Sequence, residues 1–376
     1  MINPPRLSAN LLRALLLSLV IASPLAASEP TAVVLTYHVV ESPSDTFYSM
    51  SREAFRLQME YLQLTGYEVI SLADLSDYVA GRRESIPQNS VVITVDDGWK
   101  CTYTEIYPVL KEMGLPFTVF IYPNFIGKGA YALTWKEVRE MADNGVDVQS
   151  HSFSHPFLTK RSDAALQHEL AESKKVIEAK TGKPVRFVAY PYGDYNTRVA
   201  EATAAAGYDA GLTCNFGAVE KGSNPFRMNR VVIYEKTTFA EFRKLVGASE
   251  LRLAEAEPRP GKKGDPERPV ISARIEEFEA LEPASVNLSV VGSRGRLPFS
   301  YDPRDGRISL VMREPMPAGK YRAAVWGIDR ETGKRREAVW SFSIANHPPR
   351  QAMAGGSSNP PLEATTRARA ASGSGQ

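Results

Sequence analysis

From Thr31 to about Gly247, short apolar runs alternate with amphipathic stretches. Ala32–Tyr37, Val91–Val95, Phe117–Tyr122, Val146–Ser150, Arg186–Tyr190 and Tyr208–Thr213 are near-continuous apolar runs of strand length. Between them, apolar residues recur at helical spacing: Phe55, Met59 and Leu62; Ile106, Leu110 and Met113; Val138 and Met141; Leu166, Leu170, Val176 and Ile177. Strands without polar alternation, separated by helices, predict an α/β unit with a buried parallel sheet, open or closed into a barrel. Residues Glu250–Arg268 are polar and hold Pro258, Pro260, Gly261, Gly264 and Pro266, the composition of a linker. Beyond it, Val270–Ile275, Ser285–Val291, Arg307–Met312, Tyr321–Trp326 and Ala338–Ile344 read as short strands, with turn signals at Asp305-Gly306 and Thr332-Gly333. That texture predicts a small all-β sandwich. The expected division is an α/β unit over 29–248, a linker over 249–267 and the sandwich over 268–346.

The ends are expected to be of another kind. Arg6 and Arg13 precede the apolar run Ala14–Ile21, and Pro24 and the small residues Ala26, Ala27 and Ser28 follow it. Residues 1–28 thus read as a secretory signal, too short in its apolar run to span a bilayer, and the expected location is periplasmic or secreted. Residues 347–376 are rich in Pro, Gly, Ser and Ala and read as a disordered tail. These ends change the meaning of the charge. The whole chain carries 45 Lys and Arg against 43 Asp and Glu. Without the two ends, 40 bases face 42 acids. No basic stripe is visible, which argues against a nucleic-acid partner. Two cysteines, Cys101 and Cys214, exclude a disulfide scaffold and a multi-cysteine zinc module, although the pair could bridge in an oxidising compartment.

Unusual residues fall where the strands end. Ala32–Tyr37 runs into His38, Val91–Val95 into Asp96-Asp97-Gly98, Val146–Ser150 into His151-Ser152-Phe153-Ser154-His155, and Arg186–Tyr190 into Pro191-Tyr192-Gly193-Asp194. In parallel α/β folds the strand ends are where functional groups gather. Three of the five histidines therefore share one expected face, while His168 and His347 fall elsewhere. A histidine pair four residues apart can aim both rings at one point. With a carboxylate from a neighbouring strand end, it suits zinc or another first-row divalent metal. Asp96 and Asp97 are adjacent, so their side chains leave the strand in different directions, one free to bind metal and the other to act as a base.

Thr94-Val95-Asp96-Asp97-Gly98, His151-Ser152-Phe153-Ser154-His155-Pro156 and Tyr190-Pro191-Tyr192-Gly193 resemble, in order and spacing, three motifs of the polysaccharide deacetylase family (NodB homology, carbohydrate esterase 4). The resemblance covers roughly residues 31–235. It implies a distorted (β/α)7 barrel in which Asp96 is the catalytic base. Asp97, His151 and His155 would be the metal ligands, and the Tyr192 N–H would help hold an oxyanion. The metal would be zinc, with cobalt, nickel or iron as alternatives. The family's usual late Leu-x-His motif is absent, but Leu35-Thr36-Tyr37-His38 supplies the pattern at the start of the barrel. This resembles the permuted branch that includes poly-N-acetylglucosamine deacetylases, with His38 as general acid. The arginine that the third motif usually carries is replaced by Ala189, and Arg227 or Arg230 could take its place. Glu282-Pro283, Tyr301-Asp302, Ala318–Tyr321 and Trp340–Ile344 resemble bacterial immunoglobulin-like repeats.

The expected activity is hydrolysis of acetyl groups from an extracellular or cell-wall polysaccharide, with N-acetylglucosamine units favoured. An O-deacetylase of acetylated xylan, or a non-catalytic carbohydrate-binding or adhesin protein, are the alternatives. No stable membrane span is expected after signal removal, and the chain is expected to be a monomer. Trp99, Tyr122, Trp135, Tyr192 and Tyr195 flank the motifs and could meet the apolar faces of sugar rings, although at least half should be packing residues.

Overall fold

The computed structural model describes residues 29–41, 48–247, 249–266, 269–290, 297–312 and 315–345. The expected signal segment and tail lie outside the described residues. Six parallel strands form the spine of the α/β part: β1 (Thr31–Tyr37), β2 (Ser90–Val95), β3 (Thr118–Ile121), β4 (Asp147–Ser150), β5 (Phe187–Ala189) and β6 (Ala210–Leu212). They are hydrogen-bonded in chain order. All six residues of β2 are buried, as a strand covered on both faces requires. Alternation then divides the strands between two cores. Leu35, Val91, Ile93 and Val95 meet the covering helices, while Val34, Val92, Phe120, Phe187 and Leu212 meet on the other side.

Helices α1 (Arg52–Leu64), α2 (Leu72–Val79), α3 (Tyr107–Met113), α4 (Trp135–Asp143), α5 (Asp163–Thr181), α6 (Thr197–Ala205) and α7 (Phe239–Leu245) separate or follow the strands. Six of the seven starts are capped by side chains that satisfy otherwise unpaired N–H groups, those of Ser51, Ser71, Thr134, Ser162, Asn196 and Thr238, while α3 continues directly from the helical turn before it. Helices α1, α3, α4 and α5 are the four apolar stripes expected from sequence.

The sheet curls because one irregular segment bridges its two ends. On the β6 side, Met228 N–H donates to Gly211 O at 3.0 Å and Thr213 N–H to Met228 O at 2.8 Å. On the β1 side, Val231–Val232 pairs in parallel with Leu35 and Thr36. Arg230 lies between these two sets of bonds.

The stretch expected as a linker is not free chain. It contains β7 (Leu253–Glu257), and the short strands Ser249–Glu250 and Lys263–Gly264 join another sheet. Pro258, Pro260, Gly261 and Pro266 sit at its turns and bends and Gly264 within a short strand, so composition alone mimicked a linker. Beyond it follow β8 (Val270–Ile275), β9 (Asn287–Val290), β10 (Ser300–Asp302), β11 (Arg307–Val311), β12 (Gly319–Ile328) and β13 (Arg335–Ile344). One sheet runs β7-β8-β11-β10. The other holds β9, β12 and β13, flanked by the two short strands. Residues of both sheets, among them Ile271, Leu310, Val325 and Phe342, share one core.

This all-β part is docked on the α/β part. Glu337 of β13 is fully buried and accepts hydrogen bonds from Tyr61 on α1, from Arg243 Nε on α7 at 2.9 Å and from Arg335 Nε at 3.1 Å. Arg322 pairs with Glu60 at 2.9 Å, and Trp326 lies over Gly66.

Candidate active site

The carboxyl ends of β1, β2, β4 and β5 bring their motifs together. After β2, Asp96 N–H donates to Tyr37 O at 2.9 Å, and the chain then turns sharply. Asp97 takes φ 76° and Gly98 φ 88°, both left-handed. At Gly98 a Cβ would stand 2.8 Å from Ile126 and 3.1 Å from Ile121, so both backbone and space demand glycine. The turn sends the two carboxylates apart, Asp96 inward and Asp97 toward the histidine loop.

That loop is also strained into shape, with Ser152 at φ 62° and His155 at φ 60°. His151 N–H donates to Ile121 O at 2.8 Å, and His155 N–H to Ser152 Oγ at 3.0 Å. Asp97 Oδ1, His151 Nε2 and His155 Nε2 converge, at separations of 3.7, 3.4 and 3.2 Å. A tetrahedral ion with ~2.0–2.1 Å bonds sets its ligand atoms ~3.4 Å apart. The three donors therefore fit a divalent first-row metal without rearrangement. Their outer partners agree. His151 Nδ1 lies 2.7 Å from Ala189 O, a bond that places the proton on Nδ1 and leaves the Nε2 lone pair inward. Trp99 Nε1 donates to Asp97 Oδ2 at 2.9 Å, which leaves Oδ1 for the centre. Burial and neighbouring His151 push the His155 imidazole down to about 4, against Asp97 and Asp96, so it is neutral at pH 7 as a ligand must be.

Asp96 is only 1% exposed. Burial alone would raise its pKa, but the Arg230 guanidinium, with His151 and His38, holds it at about 2. Arg230 binds it with both arms, Nη1 to Oδ1 at 2.8 Å and Nη2 to Oδ2 at 2.9 Å, and its Nε donates to Thr213 O at 2.9 Å. Asp96 is thus a buried, ionised, oriented carboxylate beside the three-donor centre. Of the two arginines left open by the sequence, Arg230 meets the aspartate, and Arg227 instead reaches Thr197. His38 lines the same opening as Asp97. Burial lowers its pKa, opposed by the Asp96 and Asp97 carboxylates. Tyr192 stands on the other side, left-handed at φ 62°, its ring 4.6 Å from that of His155.

The profile of the polysaccharide deacetylase family matches residues 83–211, which contain the Asp96-Asp97 turn, the histidine loop and Tyr192. The chain carries a polysaccharide deacetylase domain. Over 198 residues it is 29% identical to Bacillus subtilis YxkH, a protein named among the polysaccharide deacetylases, covering 53% of this chain and 70% of that one. It is 27% identical over 199 residues to the Staphylococcus aureus poly-β-1,6-N-acetyl-D-glucosamine N-deacetylase, covering 50% and 68%. Among solved structures, IcaB from Ammonifex degensii superposes with a TM-score of 0.53 at 26% identity, covering 58% of this chain and 96% of that one. The Streptococcus pyogenes deacetylase PplD, solved with acetate, shares the fold at a TM-score of 0.54 and 22% identity, covering 58% and 99%. As a polysaccharide deacetylase the domain is a hydrolase, and its substrate an acetylated polysaccharide. No described helix is long and apolar enough to cross a membrane.

Some working parts of the deacetylase domain gave little sign in sequence. Glu169 on α5, 8% exposed, accepts the N–H groups of Phe153 and Ser154 at 2.9 and 2.8 Å and the Ser154 hydroxyl, and so holds the histidine loop. Its signal is only a glutamate on the buried side of an amphipathic helix. The flanking aromatics divide as packing and surface. Tyr122 stacks on Phe125, Tyr195 on Tyr190, and Trp135 packs against the core, whereas Tyr192 is exposed. Cys101 and Cys214 are free thiols, not a disulfide.

Proposed function

We propose that the chain is a metal-dependent deacetylase that removes N-acetyl groups from a polymer of N-acetylglucosamine, of the poly-β-1,6-linked kind, releasing acetate. The observation that carries this reading is the convergence of Asp97, His151 and His155 beside the Asp96–Arg230 pair. The likeness to the Staphylococcus aureus and Ammonifex degensii proteins supports the choice of polymer. Asp97 and the two histidines would hold zinc, or else cobalt, nickel or iron; bound there, the metal would polarise the acetyl carbonyl and acidify water.

The side chains divide the remaining work. Asp96, ionised and fixed by Arg230, takes the proton of the attacking water. The Tyr192 N–H, presented by its left-handed turn, donates to the oxygen that becomes negative. His38, when protonated, gives a proton to the departing amine, and its lowered pKa makes it the stronger acid for that step. The curled sheet is read as a distorted seven-stranded barrel closed by residues 228–233, and the C-terminal sheets as an immunoglobulin-like unit. Export to the periplasm or exterior by residues 1–28, and a monomeric state, belong to the same reading.

The test is acetate release from poly-N-acetylglucosamine, chitooligosaccharides, peptidoglycan and acetylxylan, with and without chelation. The expected result is release from the N-acetylglucosamine polymers, lost on chelation and restored by zinc. Chelator-resistant activity would remove the metal, and release from acetylxylan alone would make the enzyme an O-deacetylase. His38→Ala should cut turnover by orders of magnitude while bound metal stays.

A further inference from the structure

Asp194, the last residue of the strand-end run Pro191–Asp194, has no part in the chemistry set out above, yet its carboxylate is fully engaged. Asp194 Oδ2 accepts the Thr159 N–H at 2.9 Å, and both carboxylate oxygens lie 2.9 Å from the Thr159 hydroxyl. Thr159 stands four residues beyond His155, in the helical turn Leu158–Lys160. The same turn is held from its carbonyl side. Arg198, four residues beyond Asp194 on α6, donates Nη2 to Thr159 O at 3.0 Å and to Arg161 O at 2.9 Å, and Nη1 to Asp163 Oδ1 at 2.7 Å. The chain that follows Tyr192 thus grips the chain that follows His155, with an anion for its donors and a cation for its acceptors. A charged partner makes each such bond stronger than one between neutral groups.

The grip fixes a segment that local backbone preference would not hold. Tyr192 is left-handed at φ 62° without being glycine, and Gly193 follows at φ 67°. Such a conformation persists only where the surroundings over-determine it. The Gly193 and Asp194 N–H groups donate to Tyr190 O and Pro191 O, both at 2.9 Å. A Cβ on Gly193 would stand 2.8 Å from Cys214 Cβ, so the turn is pressed against the exit of β6. The Tyr192 ring lies 4.3 Å from that of Phe157, nearly parallel to it at 17°. Among the described residues, only the Asp194–Thr159 pair joins 191–194 to 151–161 by hydrogen bonds.

We infer that Asp194 is a positioning residue: through Thr159 it sets the place of the Tyr192 N–H relative to the Asp97, His151 and His155 donors. The inference rests on the reading above in which that N–H meets the developing oxyanion. A donor aimed at developing charge acts only if it is held where the charge develops, and a displacement of ~1 Å forfeits up to ~100-fold in rate. The partner of Asp194 is Thr159 and not the three donors, so its loss should leave the ligand set and the binding of substrate in place.

The test compares Asp194→Ala, Asp194→Asn and Thr159→Val with the wild type, all as the full chain. Three quantities are measured: acetate-release kinetics on an N-acetylglucosamine oligomer, zinc affinity in chelator competition, and inhibition by the same oligomer with methylphosphonyl, a tetrahedral anion, in place of acetyl. Asp194→Ala should lower kcat about 30- to 100-fold and weaken the tetrahedral inhibitor by the same factor, with KM and zinc affinity held within about twofold. Asp194→Asn keeps an acceptor for the Thr159 N–H and should recover most of the rate. Thr159→Val should show the same kcat-only pattern more weakly, which keeps the test open where Asp194→Ala does not fold. Added to Asp194→Ala it should cost little more, because both act through one contact. The inference is overturned if Asp194→Ala leaves kcat unchanged, if zinc affinity falls as far as kcat, or if Asp194→Asn recovers nothing. A wild type that releases no acetate takes down the deacetylase reading and this inference with it. An active wild type indifferent to Asp194→Ala removes this inference alone.

Discussion

Asp96 and Arg230 show how a buried charge is kept usable. A lone carboxylate at 1% exposure would reprotonate or destabilise the fold, and the two-armed guanidinium prevents both. Arg230→Met should therefore cost about 3–5 kcal/mol of unfolding free energy, by leaving the aspartate uncompensated. The same change should lower kcat at neutral pH on the order of 100-fold, because a reprotonated Asp96 is no base. Urea titration and steady-state kinetics check the two effects separately, and an intact kcat would remove Arg230 from the machinery. Asp147, at the start of β4, supplies a contrasting case. Burial pushes its carboxyl pKa up, against hydrogen bonds from Gln149 and Thr118. A folded pKa above the unfolded one means that stability is present below the unfolded value of ~3.9 and is lost as pH rises through the folded value. Asp147→Asn should accordingly gain on the wild type between pH 3 and pH 7, measured as the difference in urea midpoint. A difference that shrinks over that interval would contradict the assignment. Of the residues discussed, Asp96, Asp97, His38, His151 and His155 were visible in sequence because each follows an apolar run. Arg230 was one of two choices, and Glu169 was not visible, since its partners are backbone groups of a loop that contacts it only after folding.

At the scale of elements, the turn after β2 carries the geometry. Gly98→Ala introduces a Cβ at φ 88° and 2.8 Å from Ile126 Cδ1. The strain and the clash should together cost about 1–3 kcal/mol and swing Asp97 from the two histidines. The variant should melt lower and bind zinc at least tenfold more weakly in chelator competition. Unchanged affinity would show that the turn does not aim the ligand. The strands and longer helices were legible for simple reasons: β1, β2, β3, β5 and β6 are mostly apolar, the more polar β4 follows Val146, and α1, α3, α4 and α5 carry apolar residues at helical spacing. The bridging segment 228–233 was not, because its pairing is split between two partners and its β-forming residues Val231–Ile233 make a strand of only two residues. The supposed linker misled for the opposite reason. Its prolines and Gly261 sit at turns between short strands, and many of its polar residues stay exposed.

At the scale of the molecule, the C-terminal sheets are tied to the α/β part by contacts that exclude water. Glu337 has no exposed surface, and its partners Tyr61, Arg243 and Arg335 come from both parts. The Arg335 guanidinium also lies 4.8 Å from the ring centres of Tyr67 and Trp326, one from each part. Such an interface couples the parts, so calorimetry should show one unfolding transition rather than two. Glu337→Ala should lower the whole transition, by about 3–5 kcal/mol, because it leaves the two arginines without their carboxylate. A split into two peaks in the wild type would show that the parts fold independently.

The sequence by itself determined the parallel α/β core, the all-β C-terminal part and the strand ends that carry Asp97, His151 and His155. Each depends on local periodicity and on residues close in the chain. Only the tertiary structure decided that Arg230 clamps Asp96, that Glu169 holds the histidine loop and that Glu337 joins the two parts. Those pairings span long stretches of chain, and their energies come from burial, which no local pattern encodes. The side chain that holds the Asp96 carboxylate was chosen by the curl of the sheet.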